Sequence, residues 1–230
     1  KLTTDYPILQ ACVSKQGVVA VLLEDQSSNV IQVYNPYDDN KKLLVEIPTN
    51  VEEGYPVSID LSPDGTGVIC ASICVTSGAV KSQVAFYDFT DVGKNTNCLV
   101  GAQEYKDRIV AEVKYLDEDH AALFSEKGFS LWKNMKKSKQ VFKKDWNREI
   151  LSAFYDDRYI GVIAAGSKKG SGRMYLFNTS GGKVFERQVA TDFTNVTMAD
   201  EEIYMVTTEG CKIYRKNGVE KWDCKLSKQA

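Results

Sequence analysis

Apolar positions in this chain come in short runs rich in Val, Ile and Tyr, and Gly, Asp, Asn and Ser interrupt them at regular intervals. That pattern predicts strands, because a half-buried pleated surface favours branched and aromatic side chains and the interruptions supply turns. The first stretch predicts strands at 8–14, 17–23, 29–35 and 41–47, and the next at 57–61, 67–75, 80–89 and 97–100. Residues 18–23 are apolar on both faces, which fits a strand held between two layers. Asp64-Gly65, Ser77-Gly78, Gly181-Gly182 and Asn217-Gly218 carry turn chemistry, since Gly accepts a positive φ without steric cost. No window shows a sustained helical period with caps.

Two aromatic anchors recur in fixed order. The first is a ring just before an apolar strand: Tyr6, Tyr55, Tyr105, Trp146 and Phe193, separated by 49, 50, 41 and 47 residues. An acid precedes the ring everywhere except at Gly54-Tyr55. The second is an apolar–aromatic–polar triplet: Val33-Tyr34-Asn35, Phe86-Tyr87-Asp88, Leu131-Trp132-Lys133, Leu176-Phe177-Asn178 and Ile213-Tyr214-Arg215. Four short strands in a unit of roughly 40–50 residues point to a β-propeller blade. The expected fold is therefore all-β, a single β-propeller domain over 1–230 with about five visible four-stranded blades near 6–50, 55–103, 105–144, 146–191 and 193–226. Five blades close alone or belong to a larger propeller of seven or eight. A β-sandwich would accommodate the strands but not the regular period.

Composition narrows the class. The 230 residues carry a net charge of −2, a pI near 5.6 and 43% apolar side chains, as in an ordinary globule with no overall pull toward nucleic acid. No apolar run approaches the ~18 residues of a membrane span. The chain starts at Lys1 with neither Met nor signal peptide, so a preceding segment is expected.

Residues 55–93, "YPVSIDLSPDGTGVICASICVTSGAVKSQVAFYDFTDVG", carry a resemblance. Ser62-Pro63-Asp64-Gly65 after an apolar strand resembles the first hairpin of WD40-like and TolB-like blades. With "FSLWK" (129–133), "YIGVI" (159–163) and the final Asn-Gly hairpin, the chain resembles a domain-of-unknown-function family from clostridia-type Gram-positive bacteria. The resemblance implies an N-terminal membrane anchor followed by an extracytoplasmic propeller. It brings no activity and no catalytic residues.

"GCKIYRKNGVEKWDC" (210–224) sets two cysteines at equal distance from Asn217-Gly218. A two-residue type I′ turn there would pair Lys216 with Val219, Tyr214 with Lys221, Ile213 with Trp222, and Cys211 with Cys224. Facing Cβ atoms on neighbouring strands lie about 4.5–5.5 Å apart, close to what a disulfide needs. Cys211–Cys224 is thus a candidate disulfide in an oxidising compartment; two small apolar side chains filling a blade is the simpler alternative. Cys70 and Cys74 share one strand and cannot bond each other, and Cys12 and Cys98 fall in other strands.

Candidate catalytic groups are sparse. His120 is the one histidine, in "LDEDHAALF", with no Cys-x-x-Cys to suggest zinc and no Gly-x-Ser-x-Gly elbow. No metal and no cofactor are expected. "AGSKKGSGRMY" (165–175) reads as a Gly-rich basic hairpin loop, capable of touching phosphate but without a following helix to aid it. Asp117-Glu118-Asp119 and Asp156-Asp157 fall in turns. Residues 133–148 carry seven basic side chains and one acid, suited either to an anionic envelope surface or to a charged strand edge that resists aggregation. The repeated rings Tyr6, Tyr55, Tyr105, Trp146 and Phe193 either rim a partner-binding face or wedge between blades, and wedging is favoured.

The expected role is a non-catalytic binding or scaffolding domain on the extracytoplasmic side of a bacterial membrane, anchored upstream and engaging a protein or cell-envelope partner, not nucleic acid. The alternatives are an enzyme acting on an envelope glycan or polymer through loop carboxylates, and a sensor binding a small ligand in the propeller channel.

Overall fold

The computed structural model describes residues 3–25, 29–39, 42–49, 54–90 and 98–225. Lys41, Asn97 and residue 226, at the ends of expected elements, lie outside them. Among the described residues, twenty strands form five four-stranded antiparallel sheets, each a meander in chain order. The sheets comprise β1–β4 (Ile8–Val13, Val19–Leu23, Asn29–Tyr34, Leu43–Thr49) and β5–β8 (Tyr55–Leu61, Gly67–Thr76, Ala79–Asp88, Leu99–Tyr105). The third holds β9–β12 (Val110–Tyr115, His120–Ser125, Gly128–Lys133, Lys139–Asp145) and the fourth β13–β16 (Ile150–Tyr155, Tyr159–Ala165, Ser171–Asn178, Lys183–Ala190). The fifth is β17–β20 (Phe193–Ala199, Glu202–Thr207, Gly210–Arg215, Glu220–Lys225). One short 3-10 turn, Met135–Lys137, precedes β12.

The chain forms two compact units: residues 1–126 with 130–140, and residues 127–129 with 141–230. In the first unit, side-chain alternation explains the layering. Val68 and Cys70 on β6 pack with Ala20, Leu22, Ile31 and Val33 of the first sheet. Their neighbours Ile69 and Ala71 point to the other face and pack with Val113, Tyr115, Ala121 and Leu123 of the third. A strand buried on both faces has to be apolar at every position, which is why β2 and β6 read as continuous runs. In the second unit Ile163, Met174 and Leu176 pack in the same way with Val196, Met198, Ile203 and Met205.

Polar side chains also join the first strands of neighbouring sheets in the first unit. The Ile59 amide donates to Gln10 Oε1 (2.8 Å), and Gln10 Nε2 donates to the Ile59 carbonyl (3.3 Å). Ser58 Oγ accepts the Val113 amide (3.1 Å). Buried Asp60 accepts the Tyr115 amide (2.7 Å) and the Lys114 ammonium (2.9 Å). Burial raises the Asp60 pKa above the ordinary range, and the Lys114 charge and these hydrogen bonds pull against it. Ser58 and Asp60, buried between the sheets, thus each have a partner, as desolvation requires.

Three local expectations are corrected. The fourth strand of the second sheet runs Leu99–Tyr105, not 97–100, so Tyr105 ends β8 rather than preceding the next unit's first strand. The fourth strand of the first sheet is Leu43–Thr49 instead of 41–47. Asn217-Gly218 is not a two-residue type I′ turn. The Gly218 amide donates to the Arg215 carbonyl (2.8 Å) and the Arg215 amide to the Val219 carbonyl (2.9 Å), with Gly218 alone at positive φ (+81°). That is a type I turn closed by a glycine bulge. Ser77-Gly78 does form the type I′ turn, with φ of 54° and 79°.

Candidate functional site

A cavity of about 390 Å³ opens in the second unit, where β14 hands over to β15. The loop between them is held by its own backbone: the Gly166 amide donates to the Ser171 carbonyl (2.7 Å), and the Ser171 amide to the Lys168 carbonyl (3.1 Å). Ser171 Oγ adds a bond to that same carbonyl (2.7 Å). Gly166 is required, because a Cβ there would lie 2.3 Å from Ser171 Oγ. Gly170 turns the chain at φ +76°.

Cations line this cavity. Lys168 comes from the loop, Arg173 from β15 and Arg148 from the segment entering β13. Gln188 on β16 lies opposite Arg173 in the strand register, and Ser167 and Ser171 add hydroxyls. Among the described residues, no carboxylate lines it. Arg173 is partly neutralised by Glu186 (2.7 Å), which also meets Lys183 (2.6 Å). Hydrogen bonding from Lys183, joined by Arg173, holds the Glu186 carboxyl below the usual range. Tyr175 forms an aromatic wall, backed by Trp146 at 5.3 Å between ring centroids. Trp146 belongs to a ring cluster with Phe129 and Phe177, and Phe142 joins through those two.

A smaller cavity of about 190 Å³ lies in the first unit beside the Ser62–Gly67 turn, lined by Asp64, Asp88, Asp119 and Lys136, with Tyr115 at its wall. Burial raises the Tyr115 phenol far above its ordinary pKa, and the nearby Asp60, Asp64 and Asp88 charges add to the rise. The turn itself is tightly bonded. Ser62 Oγ accepts the amides of Thr66 (3.1 Å) and Gly67 (2.8 Å). Asp64 accepts the Ser62 hydroxyl (2.5 Å) and both the amide and hydroxyl of Thr66. Among the described residues, no group of three or more His, Cys, Asp or Glu side chains is placed to hold a metal ion.

The five first-anchor rings do not share one environment. Tyr6 and Tyr55 are 42% and 49% exposed, Tyr105 is buried at the end of β8, and Phe193 packs at the edge of the apolar cluster of the second unit. Only Trp146 sits in an aromatic cluster. Cys211 and Cys224 are direct partners on β19 and β20. Burial, then the Asp60 charge, pushes the Cys12 thiol up to about 12. The loop acids act within turns: Asp117 Oδ1 accepts the amides of Asp119 and His120 (both 2.8 Å), and Asp156 those of Arg158 and Tyr159. His120 opens β10, its Nδ1 3.0 Å from Asp117. The basic stretch 133–148 runs along β12, whose exposed Lys143 pairs with Asp145 (3.2 Å).

The whole chain, residues 1–230, matches DUF5711, a family of unknown function. It belongs to that family. No curated protein matches it. Solved structures show the fold. Hsv2 of Kluyveromyces marxianus aligns with 98% of this chain and 75% of its own, at 10% identity and a TM-score of 0.60. The β-propeller domain of the Trilobed protease from Pyrococcus furiosus aligns with 94% and 71%, at 11% identity and 0.56. An uncharacterized protein from Listeria monocytogenes aligns with 96% of this chain and 65% of its own, at 13% identity and 0.51. The DUF5711 chain has the β-propeller fold, with five four-stranded sheets. At these identities the likeness concerns fold alone.

Proposed function

We propose that this DUF5711 chain is a non-catalytic binding or scaffolding domain on the extracytoplasmic side of a bacterial membrane, held by a preceding anchor and engaging a protein or cell-envelope partner. The observation that carries the reading is the lining of the larger cavity. It offers guanidinium, ammonium, hydroxyl and amide groups, and no carboxylate, imidazole or thiol to move a proton. Such a set binds and orients. Asp117, Asp119 and Asp156 accept backbone amides, which ties these three acids to local structure and away from a glycosidase-like pairing. The envelope setting is supported by the resemblance to anchored proteins of Gram-positive bacteria. Immobilised protein incubated with solubilised envelope from a Gram-positive host should retain a component that survives washing. Retention no greater than on blank resin would sink the reading.

A further inference from the structure

The cavity between Arg148, the 166–170 loop and β15 carries an uncompensated positive charge. Arg173 has a counter-ion in Glu186, whereas Arg148 and Lys168 have none among the described residues. Three like charges around one concavity repel one another unless an anion enters, and a concave wall focuses the field on that space. The loop is already fixed by the three Gly166–Ser171–Lys168 bonds, so little ordering is left for a ligand to impose. Planar guanidinium forks at Arg148 and Arg173 match oxygens of a tetrahedral oxyanion, Lys168 adds a point charge, and Ser167 and Gln188 supply neutral donors. Two unmatched cations suit a dianion better than a carboxylate. The cavity volume exceeds a bare oxyanion and leaves space for a substituent against Tyr175.

We propose that this cavity is a phosphoryl-binding site that takes the dianionic phosphate group of a small phosphate or phosphate monoester. The inference rests on reading the chain as a binding domain and names the ligand chemistry of its site.

The test is calorimetric titration of the purified chain with inorganic phosphate and, separately, with glycerol 3-phosphate, at low ionic strength and pH above neutrality. Saturable binding is expected, weakened about tenfold or more in Arg148→Ala and in Lys168→Ala, since each removes a charge-assisted contact. Both side chains are exposed, so both variants should keep the parent melting temperature. Lys143→Ala, on β12, should bind as the parent does. Tighter binding of glycerol 3-phosphate assigns the site to esterified phosphate, and tighter binding of inorganic phosphate assigns it to the free ion. No saturable binding by ~10 mM, or undiminished binding in both cation variants, overturns the proposal. The titration needs no macromolecular partner. A failed envelope capture beside intact phosphate binding would therefore reject the platform reading alone.

Discussion

Cys211 on β19 faces Cys224 on β20 across the last hairpin. They meet through two irregularities that cancel. The type I turn with its glycine bulge pairs Tyr214 with Glu220, one residue short of the expected register. A second bulge on β20 then takes up Lys221 and restores Ile213 opposite Trp222, Lys212 opposite Asp223, and the cysteine pair. A slip of one residue would have turned the two thiols to opposite faces.

Facing cysteines at this register are expected to oxidise. Protein recovered from an oxidising compartment and digested without reductant should yield the peptide pair joining Cys211 to Cys224. Mild oxidation of reduced protein should raise its melting temperature, because the bridge closes a short loop and restricts the unfolded chain. Two unmodified thiols after oxidation would reject the bridge.

Trp146→Ala should destabilise the second unit by about 3–5 kcal/mol, the range for deleting a large aromatic from a packed cluster. The ring contacts Phe129, Phe177 and Tyr175, so its loss also frees the aromatic wall of the larger cavity. Denaturant titration followed by the remaining tryptophans measures the effect. A midpoint equal to that of the parent would show that the cluster does not depend on Trp146.

The second anchor was legible in sequence because its place is physically fixed. Tyr87, Trp132, Phe177 and Tyr214 each stand one residue before the end of the third strand of a sheet with at most 8% exposure, and burial at that depth tolerates little but a ring; Tyr34, which ends β3, is half-buried. The first anchor was not, because it marks no common environment: Tyr55 opens a strand in solvent, while Tyr105 closes one in the core. The larger cavity was half visible. Its loop stood out by glycine and lysine, but Arg148 read as the tail of a basic run. Arg173 and Gln188 meet only through strand register, which no local pattern encodes.

A turn without glycine was also missed. Asp200 and Glu201, between β17 and β18, both take positive φ (51° and 64°). Glu201 is clamped by Arg158 (2.7 Å) and Lys216 (2.5 Å), whereas among the described residues no such clamp holds Asp200. Asp200→Gly should therefore raise stability by up to about 1 kcal/mol, since glycine adopts this conformation without a Cβ penalty. Thermal unfolding in parallel with the parent decides it; a lower melting temperature would mean the Asp200 side chain contributes more than its backbone costs.

Asp64 supplies a pH-dependent test in the first unit. Partial burial raises its pKa, but hydrogen bonds from Ser62 and Thr66 outweigh that and leave it below the ordinary Asp value. A carboxyl whose folded pKa is depressed contributes stability that is complete above the unfolded pKa of about 3.9 and is lost as pH falls through the folded value. Asp64→Ala should therefore be less stable than the parent near neutrality, by about 0.5–2 kcal/mol for loss of a side chain that caps a turn. The pH dependence of that gap separates charge from shape. It should stay constant from neutrality down to about pH 5 and shrink below pH 4, where the parent carboxylate takes up its proton. Urea midpoints of the two proteins across that range measure it. A gap of equal size on both sides of pH 4 would mean that the turn needs the Asp64 side chain for its shape and not for its charge.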